Sequence, residues 1–405
     1  MSDHEQSQTG CIVVGGGPAG VLLSLLLARK GVEVTLLEMH RDFDRDFRGD
    51  TVHMSTLEVL DQIGLAEPLH EIPHAKMHRM EINAGGRTVV VADFTRLRTK
   101  YPYIMMMPQS DFLEFLCKRA EQYPSFHRVM GAQVIDLIRD GDRIVGVRYR
   151  RDGEEQELRA PLTVASDGRF SRIRVLAEVE ANEQTPPMDA AWFRVSRRDD
   201  EGLEGGAFYA GSGRLLVMLV RPDEWQIAYV FPKGDFQSLR EQGIDQFRAS
   251  IAELVPWLGD RVDEIESFHE VHLLKVGSDR LQTWHQPGLL FIGDAAHVMS
   301  PVGGIGINYA IGDAVEAANV LTEPLLRGEV GGDALAEVQR RRERPTRMAQ
   351  RMQGLMQDNI VLRAIREQDF DLPAPMRFVL ATPFLRDIPA RIIARGFSRL
   401  RLQAP

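Results

Sequence analysis

The sequence predicts a mixed α/β protein in which a parallel sheet flanked by helices is interrupted by an antiparallel sheet and followed by a helical C-terminal segment. The first observation is an apolar run, Cys11–Val14, that ends in a glycine cluster and precedes a leucine-rich helical pattern. Between about residues 181 and 281 the pattern changes to short strands of alternating hydrophobicity. A buried strand at 289–292 and two long helical patterns follow. This order indicates one sheet domain inserted into another.

The glycine cluster has the spacing GxGxxG, formed by Gly15, Gly17 and Gly20 between a strand and a helix. The first glycine permits a tight turn, the second permits close approach to a pyrophosphate, and the third lets the helix pack on the strand. Pro18–Ala19 opens the helix, whose N-terminus offers free N–H groups to phosphates. Glu38 ends the next strand, about 20 residues on, where an acid accepts a hydrogen bond from a ribose hydroxyl. The unit predicts a Rossmann-type site for an adenine dinucleotide.

Composition narrows the class of protein. The chain has 405 residues, 44% hydrophobic and 26% charged, as in an ordinary soluble globular protein of two or three domains. A net charge of −9 argues against binding nucleic acid. The two cysteines, Cys11 and Cys117, form no disulfide framework, which favours a cytoplasmic protein. The first ten residues lack a signal-peptide core, and no apolar run approaches the roughly 18 residues of a membrane span.

The other elements follow from periodicity and turn chemistry. The first half predicts helices at 55–65 and 109–122, a hairpin at 80–93, a β-meander at 133–138, 144–149 and 155–158, and a buried strand at 162–166. The second half predicts strands at 191–195, 206–209, 214–220 and 225–231, and helices at 238–258, 306–326 and 333–358.

We therefore expect a discontinuous dinucleotide-binding domain at 1–180 and 281–358, with 76–104 as a candidate contribution to the second domain. The second domain is expected at 181–280 and C-terminal helices at 359–405. The C-terminal segment is basic, which is compatible with a membrane surface or with packing on the dinucleotide-binding domain. Its prolines divide it into short pieces, which favours packing and argues against membrane association.

Two further motifs follow buried strands. One is a strand-end acid, and an acid in that position can accept hydrogen bonds from sugar hydroxyls. The other is a glycine cluster that opens a helix, where backbone N–H groups and the helix dipole stabilise negative charge on a flat ring. They comprise Asp167, Gly168, Ser171 and Arg174, and then Gly293, Asp294, His297, Pro301, Gly303, Gly304, Gly306, Asn308 and Asp313.

These three motifs, in this order and spacing, resemble the FAD-dependent aromatic hydroxylases, the single-component flavoprotein monooxygenases of the p-hydroxybenzoate hydroxylase type. The resemblance covers about residues 10–350. It implies non-covalent FAD, held at the pyrophosphate by the GxGxxG turn and at the ribose by Glu38. It also implies that Arg48 and Gln109 contact the phosphate and ribityl region and that Asp294 binds the ribityl chain. Asp167, supported by Arg174, is implied to bind both FAD and NAD(P)H. The residues implied to lie along the flavin ring are Pro301, Gly303, Gly304, Gly306 and Asn308.

The resemblance further implies hydroxylation of an aromatic or polyketide-like small molecule. NAD(P)H reduces the flavin, and the reduced flavin captures dioxygen as a C4a-hydroperoxide that transfers oxygen to a lipophilic substrate. Catalysis is centred on the flavin, so no catalytic side chain is assigned. Members of the family bind NAD(P)H transiently, which agrees with the single GxGxxG motif in this chain.

Side chains that contact substrate are harder to assign. His53, Arg194, Tyr209, Arg214 and Tyr229 are candidates, because arginine or tyrosine on the second sheet can hold a carboxylate or phenol. His297 is interpreted as structural, and no cluster has metal-ligand spacing.

Three alternative functions stay open. One is an FAD-dependent reductase of isoprenoid chains, and another is a non-catalytic flavin- or ligand-binding module. Halogenation is a minor alternative, since the Trp225–Pro232 segment lacks the second tryptophan of the halogenase motif. The sequence does not determine the substrate, the choice between NADH and NADPH, or the oligomeric state.

Overall fold

The structure is a computed structural model that describes residues 7–44, 50–198, 201 and 205–403. Its strands, in chain order, are β1 Ser7–Gln8, β2 Cys11–Val14, β3 Val34–Glu38, β4 Thr51–Val52, β5 Ala75–Met77, β6 Arg79–Ala84, β7 Arg87–Asp93, β8 Ile104–Met106, β9 Phe126–Met130, β10 Gln133–Asp140, β11 Arg143–Arg151, β12 Glu154–Arg159, β13 Thr163–Ala165, β14 Ala181–Gln184, β15 Met188–Ser196, β16 Gly205–Gly211, β17 Arg214–Val220, β18 Glu224–Pro232, β19 His272–Leu274, β20 Ser278–Leu281, β21 His285–Gln286 and β22 Leu289–Phe291.

The helices connect and cover these strands. They are α1 Pro18–Arg29, α2 Met54–Gln62, α3 Ala66–His70, α4 Gln109–Ala120, α5 Arg172–Leu176, α6 Phe236–Glu241, α7 Ile244–Leu254, α8 Gly306–Leu326, α9 Gly332–Met356, α10 Leu362–Ala364, α11 Ala374–Ala381 and α12 Ile388–Arg395. Short 3-10 turns lie at Phe94–Arg96, Pro256–Glu264, Gly293–Ala295 and Val302–Gly304, and a π-helical turn at Gln357–Val361.

A six-stranded sheet forms the centre of the predicted Rossmann unit. Its order is β21-β22-β13-β2-β3-β9, and every pairing except β21 with β22 is parallel. Both faces of such a sheet are covered, which is why β2, β3, β13 and β22 are mostly apolar and have every residue buried. Helices α1, α4 and α8 share a core with one face, and the β10–β12 meander shares a core with the other. The α/β fold class predicted from the sequence is confirmed.

A seven-stranded sheet stands beside this unit in the order β19-β15-β18-β17-β16-β6-β7. Its pairings are antiparallel except that of β16 with β6. The hairpin predicted at 80–93 is β6 and β7, which places this part of 76–104 in the second sheet. The boundaries of the domains themselves stay a prediction.

The helix predicted at 238–258 is wrong in its continuity. It is divided into α6, α7 and the 3-10 turn that begins at Pro256. Gly243, with φ of +88°, ends α6 because this left-handed conformation suits glycine and interrupts the helical hydrogen bonds.

The C-terminal segment packs against the core of the seven-stranded sheet and contacts helix α2. Ala390 and Ala394 of α12 are fully buried in the core of the seven-stranded sheet. The Arg395 guanidinium lies 2.5 Å from a carboxylate oxygen of Glu58 on α2. Along the described part of the chain, the helices are too short or too polar to cross a bilayer.

Candidate functional site

Each of the three glycine positions in the first turn is suited to glycine for a different structural reason. Gly15 has φ of +105°, and a Cβ there would lie 2.4 Å from the Ser166 carbonyl oxygen. A Cβ on Gly20 would lie 2.1 Å from the Gly15 carbonyl oxygen. Gly17 has an ordinary φ of −77°, and its nearest atom would be 3.9 Å away. The fold therefore requires glycine at 15 and 20, whereas the space in front of Gly17 is left for a ligand.

Glu38 lies where the sequence predicts it, at the end of β3 beside the first turn. Its carboxylate is 2% exposed and accepts backbone N–H bonds from Gly16, at 2.6 Å, and from His40, at 2.9 Å. The backbone bonds fix the orientation of the carboxylate.

Asp294 is brought next to the same turn by the parallel sheet. It lies in the 3-10 turn after β22, and a Cβ on its neighbour Gly293 would be 3.1 Å from Cβ of Ala19 at the start of α1. The Arg174 guanidinium donates to the backbone oxygens of Ala295, at 2.6 Å, and Asp294, at 3.1 Å. Two strand-end motifs predicted separately are thus joined.

The Asp167 carboxylate accepts hydrogen bonds from other groups of the protein. Its carboxylate oxygens accept a hydrogen bond from the Ser171 hydroxyl at 2.6 Å and one from the Ile173 N–H at 3.0 Å. Burial raises the pKa of Asp167 against the opposing effect of these bonds. The side chain therefore orders the start of α5, and its predicted contact with FAD or NAD(P)H stays a prediction.

The predicted ring loop has an open face. Gly303 and Gly304 have φ of +81° and +63°, and a Cβ on Gly304 would meet no atom within 4 Å. Helix α8 begins at Gly306. The N–H groups of Asn308 and Tyr309 donate to the Ile305 carbonyl oxygen at 3.0 and 3.3 Å, and those of Gly306 and Ile307 precede these first helical hydrogen bonds. Pro301 closes the turn by accepting the Gly304 N–H at 2.9 Å. The Asn308 side chain instead accepts from the Ser55 hydroxyl at 2.5 Å, which anchors α8 to α2.

His53 supports this loop. Its ring is fully buried, and its two nitrogens lie 2.8 Å from the Ile393 carbonyl oxygen and 2.9 Å from that of Gly304. Burial lowers the pKa of His53, and a neutral ring donates to only one of the two carbonyls. Both nitrogens face the protein backbone, so the structure leaves no ring nitrogen for the predicted substrate contact.

Asp50 and Arg221 form a junction that the sequence did not reveal. They are 171 residues apart, 7% and 4% exposed, and ion-paired. The Gln109 N–H donates to the Asp50 carboxylate at 3.3 Å, and Arg221 also donates to the Gln226 side-chain oxygen at 3.0 Å. Burial lowers the pKa of Arg221. No local signal indicates this pair, because it depends on how the segment before β4 packs against the end of β17.

The other predicted substrate residues lie on the seven-stranded sheet. Arg194 is 3.2 Å from Glu224, and Arg214 is 2.6 Å from Glu253, so both guanidinium groups have acidic partners. The Tyr209 hydroxyl accepts from Trp257 at 2.9 Å, and burial raises the pKa of this tyrosine. Tyr229 is 6% exposed and its ring centroid lies 5.2 Å from that of Phe247. Arg48 lies outside the described residues.

A buried polar cluster supports the second strand end from behind. Asp313 is fully buried and accepts from the Gly293 N–H at 2.9 Å and from Arg342 at 2.7 Å, while His297 Nε2 lies 2.7 Å away. Burial alone would raise the pKa of Asp313, but His297 and Arg342 hold it below its usual value. These contacts support the structural interpretation of His297.

These observations fit FAD. The empty space at Gly17, the oriented Glu38 carboxylate and the open Gly304 face would receive the pyrophosphate, the ribose and a flat ring, respectively. Asp294 would hold the ribityl chain between them. Within the described ranges no cluster of histidine, cysteine and acidic residues is arranged for a metal ion.

Comparison with known proteins assigns the family. Residues 8–352 match the family model described as FAD binding domain. The chain belongs to this family. It is 33% identical over 400 residues to 6-methylpretetramide 4-monooxygenase of Streptomyces rimosus, which covers 98% of this chain and 95% of that relative. The chain is accordingly a flavin-dependent monooxygenase with FAD as its cofactor, and NAD(P)H is the co-substrate typical of the class.

Solved structures share the fold. Anhydrotetracycline hydroxylase OxyS of S. rimosus has a TM-score of 0.73 at 23% identity, covering 98% of this chain and 78% of that chain. The p-nitrophenol 4-monooxygenase PnpA of Pseudomonas putida has a TM-score of 0.77 at 18% identity, covering 97% and 100%. The recognition of an aromatic hydroxylase from the sequence is confirmed.

Proposed function

We propose that this monooxygenase uses NAD(P)H and dioxygen to hydroxylate an aromatic or polyketide-like small molecule at the junction between the Gly304 loop and the seven-stranded sheet. The observation that carries the proposal is the open face of that loop, which stands beside the Asp50–Arg221 contact between the two parts of the fold. A ring on this face would meet a ligand coming from the second sheet.

Each chain segment has a separate task in this proposal. The start of α1 binds the pyrophosphate through backbone N–H groups, and Glu38 and Asp294 accept hydrogen bonds from sugar and ribityl hydroxyls. The N-terminus of α8 stabilises negative charge on the ring. When bound, FAD supplies the redox chemistry with NAD(P)H and dioxygen.

The core beneath the proposed substrate side is apolar and excludes water. Ile104–Met106 is entirely buried, as are Phe193 and Trp225. Exclusion of water from the site slows the unproductive release of hydrogen peroxide in place of oxygen transfer to the substrate. Support for the substrate class comes from the S. rimosus relative, whose name designates a monooxygenase of 6-methylpretetramide.

We also infer that 1–180 with 281–358 carries FAD and 181–280 carries most of the substrate surface. A cytoplasmic location is part of the proposal, since Cys11 and Cys117 are buried and free.

The deciding experiment screens aromatic and polyketide-like compounds for stimulation of NAD(P)H oxidation under isotope-labelled dioxygen. We expect at least about tenfold stimulation by a suitable compound, which corresponds to roughly 1.4 kcal/mol of barrier. The product should gain one oxygen atom that carries the label. Product oxygen from water, or saturation of a double bond without oxygen uptake, contradicts the proposal.

A further inference from the structure

Four arginines on or next to the seven-stranded sheet form ion pairs with acidic residues. Arg79 lies 3.3 Å from Asp93, and Arg194 and Arg214 have the glutamate partners described above. Arg221, directly after β17, is paired with Asp50. The Arg79 and Arg194 side chains are exposed and that of Arg214 is half-buried, whereas the Arg221 side chain is 5% exposed.

The charge of Arg221 is matched by Asp50 in particular. Glu224 is the other acid near it, with an oxygen 3.9 Å from Arg221 Nε. Glu224 lies closer to Arg194, at 3.2 Å, so its charge is shared between Arg194 and Arg221, and it opposes the effect of burial on the pKa of Arg221. Gln226 contributes a neutral oxygen that accepts from Arg221 Nε at 3.1 Å.

This ion pair lies next to the proposed ring loop. Thr51 follows Asp50 directly, and its hydroxyl donates to the Gly304 carbonyl oxygen at 3.3 Å. The Asp50 carboxylate also accepts the N–H of Gln109 at the start of α4. The Arg221 guanidinium is therefore a buried cation bound to the residue next to Thr51, which in turn is hydrogen-bonded to the ring loop.

We propose that Asp50 determines substrate specificity: by pairing with Arg221 it makes the substrate site electrically neutral, so that the site takes an uncharged phenolic ligand and rejects the matching carboxylate. This inference rests on the proposed function for the position of the substrate. A carboxylate entering such a site would lose its hydration without gaining an unpaired cation, which is costly. A phenol or amide needs only hydrogen bonds.

The test measures equilibrium binding to the FAD-loaded enzyme without NAD(P)H. Ligand pairs share a phenol and differ only in charge, such as para-hydroxybenzamide with para-hydroxybenzoate and the corresponding hydroxynaphthamide with hydroxynaphthoate. Dissociation constants come from the change in flavin absorbance and, independently, from tryptophan fluorescence. In the wild-type enzyme we expect the amide to bind at least about tenfold more tightly than the carboxylate.

Three variants identify the residue responsible. Asp50→Asn keeps an oxygen for the Gln109 N–H but removes the nearer of the two acids beside Arg221, leaving Glu224 at 3.9 Å, and it should shift the preference toward carboxylates by at least about tenfold. Asp50→Asn combined with Arg221→Gln should restore the wild-type preference for amides. Glu253→Gln is the matched control, because it removes the acidic partner of the half-buried Arg214 on the same sheet and should leave the preference unchanged.

Several results would overturn the inference. A wild-type enzyme that binds carboxylates as tightly as amides excludes a neutral site, even if Asp50→Asn fails to retain FAD. A folded Asp50→Asn enzyme with unchanged preference, or equal shifts in Asp50→Asn and Glu253→Gln, excludes the role of Asp50. Failure of every pair to bind excludes a phenolic ligand. None of these outcomes depends on oxygen transfer, so a failure of the proposed reaction is recognised separately.

Discussion

The Asp313 cluster provides a quantitative test of how the second strand end is held. Asp313→Asn removes the charge from a fully buried carboxylate and leaves Arg342, 2% exposed, without its anion. Asparagine has one acceptor oxygen, so it cannot serve the Gly293 N–H, His297 and Arg342 together. Removing one partner of a buried ion pair costs about 3–5 kcal/mol, against a typical total stability of about 5–15 kcal/mol. We expect a loss of that size.

Urea unfolding of the apoprotein, followed by circular dichroism, measures the loss. Replacing both charges, with Asp313→Asn and Arg342→Met, should destabilise less than Asp313→Asn alone, because no unpaired charge is then buried. Glu337→Gln is the control, since Glu337 is paired with an exposed arginine, Arg341, on the same helix as Arg342. We expect no measurable change for this control.

The reasoning is refuted if Asp313→Asn unfolds within about 1 kcal/mol of the wild type, since a buried, unpaired Arg342 should cost more. It is also refuted if the double variant is as unstable as the sum of the single variants, because the two charges would then act independently.

Three further predictions concern the cofactor side. Gly17→Val should fold but purify without FAD, because the protein has room for a side chain at Gly17 and the pyrophosphate needs that room. Gly15→Ala should instead lose stability. Full flavin content in Gly17→Val would contradict this prediction. Asp294→Ala should weaken FAD binding by about 1–3 kcal/mol in a fluorescence titration, and an unchanged affinity would exclude a ribityl contact. Burial lowers the pKa of His53, so below about pH 6.5 the unfolded state binds a proton that the folded state does not. Between pH 7 and 5.5 the free energy of unfolding of the wild type should therefore fall by up to about 1 kcal/mol more than that of His53→Gln. Identical pH dependence of the urea midpoints would contradict this.

Much of the cofactor side was predictable because its signals are local. The GxGxxG turn, the acid at the end of β3 and the helix-opening glycines each depend on a few consecutive residues. Backbone sterics act over this short range, so a glycine at 15 or 303 indicates a left-handed conformation wherever the segment lies. Strand and helix periodicity likewise identified the parallel sheet.

The substrate side was less predictable because its properties depend on partners distant in sequence. Arg214 and Arg194 were candidates for binding a carboxylate, yet the fold gives each an acidic partner. His53 was a candidate for contacting substrate, yet its two nitrogens face backbone carbonyls, one of them from α12, 340 residues away.

The amino-acid sequence alone determined the fold class, because short-range backbone preferences and hydrophobic periodicity carry that information, and its three motifs indicated FAD through their resemblance to a known family. Tertiary structure alone decided which charges are free to meet a ligand. Asp50 and Arg221 are separated by 171 residues, and nothing in either local segment indicates the other. Their pairing arises because the segment before β4 packs against the end of β17 and a buried charge is stable only beside its opposite.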